Sequence, residues 1–310
     1  MKRIFYIIPF LLMGINVYRV HGGQYPQFTQ YMLNNYYYNP ALAGTYKQFI
    51  IKMDYRVQWI DMPGGPQTGI IAGYGPNKNF NMGYGGHILI DNTGLTSRIN
   101  IMGSFAYNVP VFDEYRLSFG LSAGVKQFTF DASQMDLDQQ DDPYIKNQTY
   151  VRYRPDANVG VYFHSDIMYA GFASHQLFGN KLNDFPEKSV PDDSITRDNR
   201  LMQHFYLMGG YKVWLNREWA IEPSLLLQGS YPEKPQLEIS ASAVFENSLW
   251  AGLSYRFGDR LSLVSILARY KLERKYEIGI AYDLNAFSKY STLRSGSVEV
   301  LFGYWFDPIR

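Results

Sequence analysis

Between residues 115 and 126 the chain alternates without a break. Arg116, Ser118, Gly120, Ser122, Gly124 and Lys126 take the even places; Tyr115, Leu117, Phe119, Leu121, Ala123 and Val125 take the odd ones. Successive side chains of a strand point to opposite faces, so one face here is apolar and aromatic while the other is small, polar or charged. A soluble sandwich contains such strands too. About fourteen of them in series, behind an export signal, point instead to a closed barrel that is apolar outside and wet inside.

The other strands fit the same template. Phe49, Ile51, Met53, Tyr55, Val57 and Trp59 share one face, opposite Lys52, Asp54, Arg56 and Gln58. Phe80, Met82, Tyr84, Ile88 and Ile90 oppose Asn81, Gly83, Gly85 and His87; Ile99, Ile101, Phe105 and Tyr107 oppose Asn100, Ser104 and Asn108. Residues 68–74, 158–164, 166–175, 204–213, 219–228, 237–245, 249–257, 276–283 and 298–306 continue the series. Residues 261–270 are apolar on both faces, which leaves their facing open. Pro223 lacks a ladder donor and predicts a bulge.

The connections supply an independent argument. Numbered in order, the even ones are short turns, such as 75–79, 110–114, 164–166, 216–218, 246–248 and 273–275. The long ones, 60–66, 131–155, 176–199 and 285–294, are all odd. Outer-membrane barrels carry short periplasmic turns and longer extracellular loops, so this parity predicts a membrane barrel with both ends in the periplasm. The expected fold is all-β: a single transmembrane β-barrel of about fourteen antiparallel strands over residues 48–310.

Composition agrees where it bears on the question. Aromatic residues make up 17% of the 310, with 27 Tyr and 20 Phe, as the interfacial girdles of such barrels require. Mean hydropathy is −0.26, a value that alternation produces even in a membrane protein. The net charge of +1 gives no reason to expect nucleic acid as a partner. The absence of cysteine excludes disulfides and thiolate metal sites. Lys2 and Arg3 followed by the apolar run from Ile4 to Val17 read as a signal peptide over residues 1–23.

Chemistry is sparse. His87, His164, His175 and His204 lie on separate strands without metal-ligand spacing, and luminal His87 and His204 read as pore-lining polar groups. No Gly-x-Ser-x-Gly elbow is present. Asp131, Asp136, Asp138, Asp141 and Asp142 lack the glycine and terminal Glu of a calcium loop and read as a solvated acidic surface. Gly83-Tyr84-Gly85-Gly86 has no following helix to bind phosphate and reads as small residues relieving crowding in a curved sheet. The expected protein is not an enzyme and has no cofactor or metal.

Residues 24–47, carrying Tyr25, Phe28, Tyr31, Tyr36, Tyr37 and Tyr38, stand outside the strand pattern. Two readings remain open for them: a periplasmic lead-in packed under the barrel, or a plug or docking strip in which Tyr supplies contact area at modest entropic cost.

Two groups of residues carry a family resemblance. Pro26-Gln27-Phe28-Thr29-Gln30-Tyr31 followed by Asn39-Pro40-Ala41-Leu42-Ala43-Gly44 resembles the mature N-terminus of the PorP/SprF family. Tyr55-Arg56-x-Gln58-Trp59 followed by Gly65-Pro66-x-Thr68 resembles its first hairpin. The bulky Tyr36-Tyr37-Tyr38 run and the weak cleavage site depart from the pattern. The resemblance implies an outer-membrane protein of the type IX secretion and gliding system of Bacteroidota, with the secretion machinery and a secreted client such as an adhesin as partners. On it rest the candidate partner-binding or luminal residues Pro26, Gln27, Phe28, Gln30, Tyr31, Asn39, Pro40, Arg56, Gln58 and Trp59. By strand parity Arg56 and Gln58 point into the lumen, while Tyr55 and Trp59 face lipid; two readings stay open for the luminal pair, binding to backbone carbonyls of the N-terminal segment or of a client, or an unpaired Arg in a wet pore. A diffusion porin is the alternative function.

Overall fold

The computed structural model describes residues 26–78, 81–134, 149–180, 201–230, 234–257, 263–284 and 296–307. Strands β1 (Ile50–Val57), β2 (Gln67–Pro76), β3 (Met82–Thr93), β4 (Thr96–Phe112) and β5 (Tyr115–Asp131) form the first hairpins. β6 (Thr149–His164), β7 (Met168–His175), β8 (His204–Tyr211), β9 (Val213–Trp214) and β10 (Trp219–Ser230) follow. β11 (Gln236–Phe245), β12 (Leu249–Phe257), β13 (Leu263–Leu272), β14 (Tyr276–Leu284) and β15 (Ser297–Trp305) complete the wall. Each strand pairs antiparallel with its neighbours, and β1 pairs with β15 from Ile50↔Trp305 to Val57↔Val298. The sheet is therefore a closed cylinder, the form that leaves no unpaired edge in a bilayer. β8 and β9 lie against β10 in one unbroken register, so the two segments are halves of one barrel strand and fourteen strands surround the lumen.

Alternation decides which way each side chain faces. On β1, Met53 and Tyr55 stand about half exposed on the outer wall, while Lys52, Asp54 and Arg56 are buried inside. The same division holds for Ile101 against Asn100 and for Leu253 against Ser254. On β13, Ile266 and Tyr270 point out, and Leu263, Ser265 and Leu267 point in, which settles the facing of the segment that is apolar on both sides. Among the described residues no helix is long and apolar enough to cross a membrane; the crossing is made by strands.

One end of the barrel carries the short turns that follow β2, β4, β6, β9, β11 and β13; the other carries every long connection and also the two-residue turn between β3 and β4. We call them the turn end and the loop end. At the turn end, Glu246 with Asn247 and Glu273 with Arg274 place two successive residues at positive φ, the type I′ geometry whose twist matches paired strands.

Three expectations require correction. Pro223 makes no bulge: β10 keeps its register with β11 from Trp219↔Phe245 to Gln228↔Gln236. The missing donor instead interrupts the ladder on the opposite side, between Ser224↔Gly210 and Ile221↔Val213, where β8 gives way to β9. The connection expected to run to Pro155 is shorter, because β6 begins at Thr149 and pairs with β5 from Asp131↔Thr149. β1 stops at Val57, so Gln58 and Trp59 leave the alternation. The Gln58 N–H donates to Pro66 O at 2.9 Å, and Trp59 adopts φ 51° with its N–H on Ser297 Oγ. The expected signal peptide and most of the acidic loop lie outside the described residues.

Candidate functional site

Residues 26–47 lie inside the barrel. Phe28, Tyr31, Tyr36, Tyr37 and Tyr38 are at most 1% exposed. A one-turn helix, Asn35–Tyr38, leads through Asn39 into a 3₁₀ turn, Pro40–Gly44. The local sequence explains the turn: the Asn39 side chain accepts the Ala41 N–H at 2.9 Å, and Pro40 takes the first position, where its missing donor costs nothing.

The wall grips this segment by its backbone. Glu299 accepts the Thr29 N–H on Oε2 at 2.7 Å and the Gln30 N–H on Oε1 at 2.8 Å. Ser118 Oγ donates to Ala41 O at 2.6 Å, and Asn108 Nδ2 donates to Gly44 O. His175 Nε2 lies 3.0 Å from Tyr38 O, which fixes the proton on that nitrogen. Lys52 Nζ donates to Leu33 O. In return, Asn39 Nδ2 donates to the wall carbonyls of Val161 and Phe172 at 3.0 and 3.3 Å.

Side chains complete the fit. Tyr36 stacks on Tyr74 with ring centroids 4.4 Å apart, and its hydroxyl donates to Ser104 Oγ at 2.8 Å. Phe28 meets Tyr37 edge-on at 5.3 Å, and Tyr31 OH lies 3.0 Å from Ser224 Oγ. Burial pushes the phenol of Tyr36 up to about 12, against a smaller opposing effect of its Ser104 hydrogen bond; burial does the same to Tyr46. Where the segment touches the wall most closely, the wall is glycine. A Cβ on Gly120 would sit 2.2 Å from Ala41 N, and one on Gly83 would sit 2.2 Å from Gly44 N. Gly83 of β3 and Gly120 of β5 thus admit a second backbone, whereas the sequence suggested for Gly83 only relief of crowding in a curved sheet.

Two buried charge clusters surround the segment. In the first, Arg56 Nη1 lies 3.0 Å from Glu299 Oε2 and Nη2 lies 2.5 Å from Asp283 Oδ2. Thr29 Oγ1 accepts from Arg56 and donates to Asp283 Oδ1 at 2.8 Å. Arg256 pairs with Glu238 beside them at 2.7 Å. In the second, Glu277 holds Lys52 at 3.4 Å and Arg269 at 2.8 Å, and accepts Trp305 Nε1–H at 2.7 Å. Arg269 lies 4.0 Å from the centroid of the Trp250 ring. Buried pairs of this kind fix position more than they add stability.

The structure brings Phe28, Gln30, Tyr31, Asn39, Pro40 and Arg56 into this network. Pro26 lines a small cavity toward the loop end with Arg98, Lys126 and Arg154. Gln27 is half-buried and makes none of these contacts. Gln58 and Trp59 stand apart at the loop end, and what Arg56 binds in the segment is the Thr29 hydroxyl rather than a backbone carbonyl. Lys52, Glu277, Asp283 and Glu299 were missed. Their signal was present as charges at luminal positions of β1, β14 and β15, but alternation does not say which strands meet.

Below the segment, at the turn end, the lumen opens into a cavity of about 470 Å³. Leu33, Asn35 and Tyr46 of the segment form its roof, and Tyr162, Tyr169, Trp250 and Trp305 stand in its walls. Among the described residues no group of three or more His, Asp or Glu side chains could hold a metal ion. The arrangement is suited to holding peptide.

Solved barrels share the architecture. A TodX deltaS2S3 mutant monoaromatic hydrocarbon channel superposes with a TM-score of 0.51 at 10% identity, over 86% of this chain and 92% of that one. The CymD monoaromatic hydrocarbon channel gives 0.52 at 9% identity, over 91% and 94%. Likeness at such identity concerns the fold alone. No curated protein matches the sequence. The model of the type IX secretion system membrane protein family PorP/SprF matches residues 20–304, nearly the whole chain, and the chain belongs to that family.

Proposed function

We propose that this barrel sits in the outer membrane and anchors or delivers proteins exported by the type IX system, surface adhesins and gliding-related clients among them, without catalysing a reaction. In this reading the turn end faces the periplasm, the loop end faces outward, and residues 26–47 are a plug. The observation that carries it is the filled lumen. A family member built as an open solute path would not bury a run of tyrosines across its bore and hold the backbone of their segment from five strands. The longer loop-end connections offer the outward surface for a client.

Deletion of the gene tests the reading. Loss of an exported adhesin from the cell surface, with small-solute uptake unchanged, supports it. A large, steady pore in planar bilayers, with adhesin display intact after deletion, supports the diffusion porin instead.

A further inference from the structure

The turn-end cavity has no part in the reading above, and its chemistry is specific. At about 470 Å³ it falls in the ordinary range for ligand sites. The segment closes it above, so an occupant enters from the turn end, past Ser165, Asp166 and Ile167. Its cations are largely committed: Lys52 and Arg269 to Glu277, and Lys212 to Glu222 at 2.8 Å. The other charges of the lining, Lys47 and Arg116 with Glu114 and Asp166, balance one another, so no strong field of one sign selects a small ion. Beside the charges stand aromatic rings and short hydroxyls, Tyr162, Tyr169, Trp250 and Trp305 with Thr45, Ser224 and Ser242, and the aliphatic surface of Leu33, Met168 and Leu267.

The same lumen already shows what such a wall accepts. Directly above it, serine hydroxyls and aromatic rings, together with Glu299, Asn108, His175 and Lys52, hold residues 26–47, a peptide rich in Tyr, Asn and Gln. Ser224 belongs to both places, meeting Tyr31 OH at 3.0 Å and lining the cavity. Aromatic walls interspersed with hydroxyls suit an occupant that carries rings and amides together. Thr45 already donates to Leu42 O and Ser224 already meets Tyr31 OH, so an aliphatic or purely aromatic solute would leave the Ser242 hydroxyl as the unmatched one.

We propose that the turn-end cavity is a second peptide site, taking a short segment with aromatic and amide side chains presented from the periplasm by another protein. The orientation rests on the reading above; the binding does not, so the two can fail separately.

The chain has no cysteine, so Ile167→Cys places a single polarity-sensitive dye at the cavity mouth of the full-length barrel in nanodiscs. Titration with the acetylated, amidated peptide Tyr-Asn-Gln-Tyr should shift the dye saturably. Leu267→Trp, or the milder Ser242→Tyr, should weaken that response at least tenfold while heat-modifiable mobility on gels stays normal. A saturable response to toluene or glucose with none to the peptide would overturn the proposal, as would a peptide response untouched by both filling variants. Separately, a membrane-impermeant maleimide should label Ile167→Cys only after the outer membrane is permeabilised. Labelling in intact cells would overturn the orientation and leave the peptide result standing.

Discussion

Arg56 and Glu299 are direct partners across the seam that closes the barrel, with Arg56 Nη1 3.0 Å from Glu299 Oε2. Both side chains are at most 1% exposed. The carboxylate that neutralises Arg56 also accepts the N–H groups of Thr29 and Gln30. The first and last strands therefore meet at the point where the luminal segment is anchored, so closure of the cylinder and docking of the segment share one ion pair.

Arg56→Ala strips that anchor. It removes the donor to the Thr29 hydroxyl and leaves Glu299 and Asp283 buried without their cation, a loss on the order of 3–5 kcal/mol. Fourteen paired strands remain, so the barrel should keep its heat-modifiable mobility while residues 26–39 become open to protease. Protection equal to wild type in that segment would contradict the role assigned to Arg56.

Glycine sockets give a second handle. At Gly120 and Gly83 any side chain meets backbone of the segment at 2.2 Å, and backbone cannot move aside as a flexible side chain can. The double variant Gly83→Leu/Gly120→Leu should displace residues 40–44. It should show a steady conductance in planar bilayers that wild type lacks. A closed double variant would mean that the segment is not what blocks the bore.

How much of this could be read from the chain follows from what alternation encodes. It fixes facing, so Lys52, Asp54 and Arg56 could be placed inside from the sequence alone. It also gives loop parity. It does not encode which strands become neighbours when the sheet closes, and the pairing of Arg56 with Glu299, 243 residues away, was out of reach for that reason. Gly83 and Gly120 show a related limit. A luminal glycine looks the same whether it relieves curvature or admits a second backbone, and only the position of Ala41 and Gly44 separates the two. Pro223 was misjudged because a missing donor can be absorbed by a break in the ladder as well as by a bulge. Trp59 was misplaced because parity was carried two residues past the end of β1.

Alkaline titration should report the segment directly. Tyr36 has its phenol raised to about 12, whereas in an unfolded chain it ionises near 10. A raised folded value means that stability is fully present below about pH 10 and is lost as pH climbs through the folded value. Tyrosinate absorbance at high pH, compared between wild type and Tyr36→Phe, should differ by one late-titrating group near pH 12. The variant keeps the ring stacked on Tyr74 and loses only the hydrogen bond to Ser104, a cost of about 1 kcal/mol. A difference spectrum centred near pH 10 would place that ring in water.

Asp54 offers a test of opposite sign. Its carboxylate is 2% exposed, and neither oxygen has a hydrogen-bond partner. The neighbouring cations on the same strand are committed elsewhere, Lys52 to Glu277 and Arg56 to Glu299 and Asp283. A buried charge without a partner is costly, and a neutral amide of the same shape relieves most of that cost. Asp54→Asn should therefore raise the thermal midpoint in detergent, in contrast to Arg56→Ala, by an amount corresponding to roughly 1–3 kcal/mol. A lower midpoint would show that Asp54 steadies Lys52 and Arg56 through space, and that the luminal charges act as one network instead of as separate pairs.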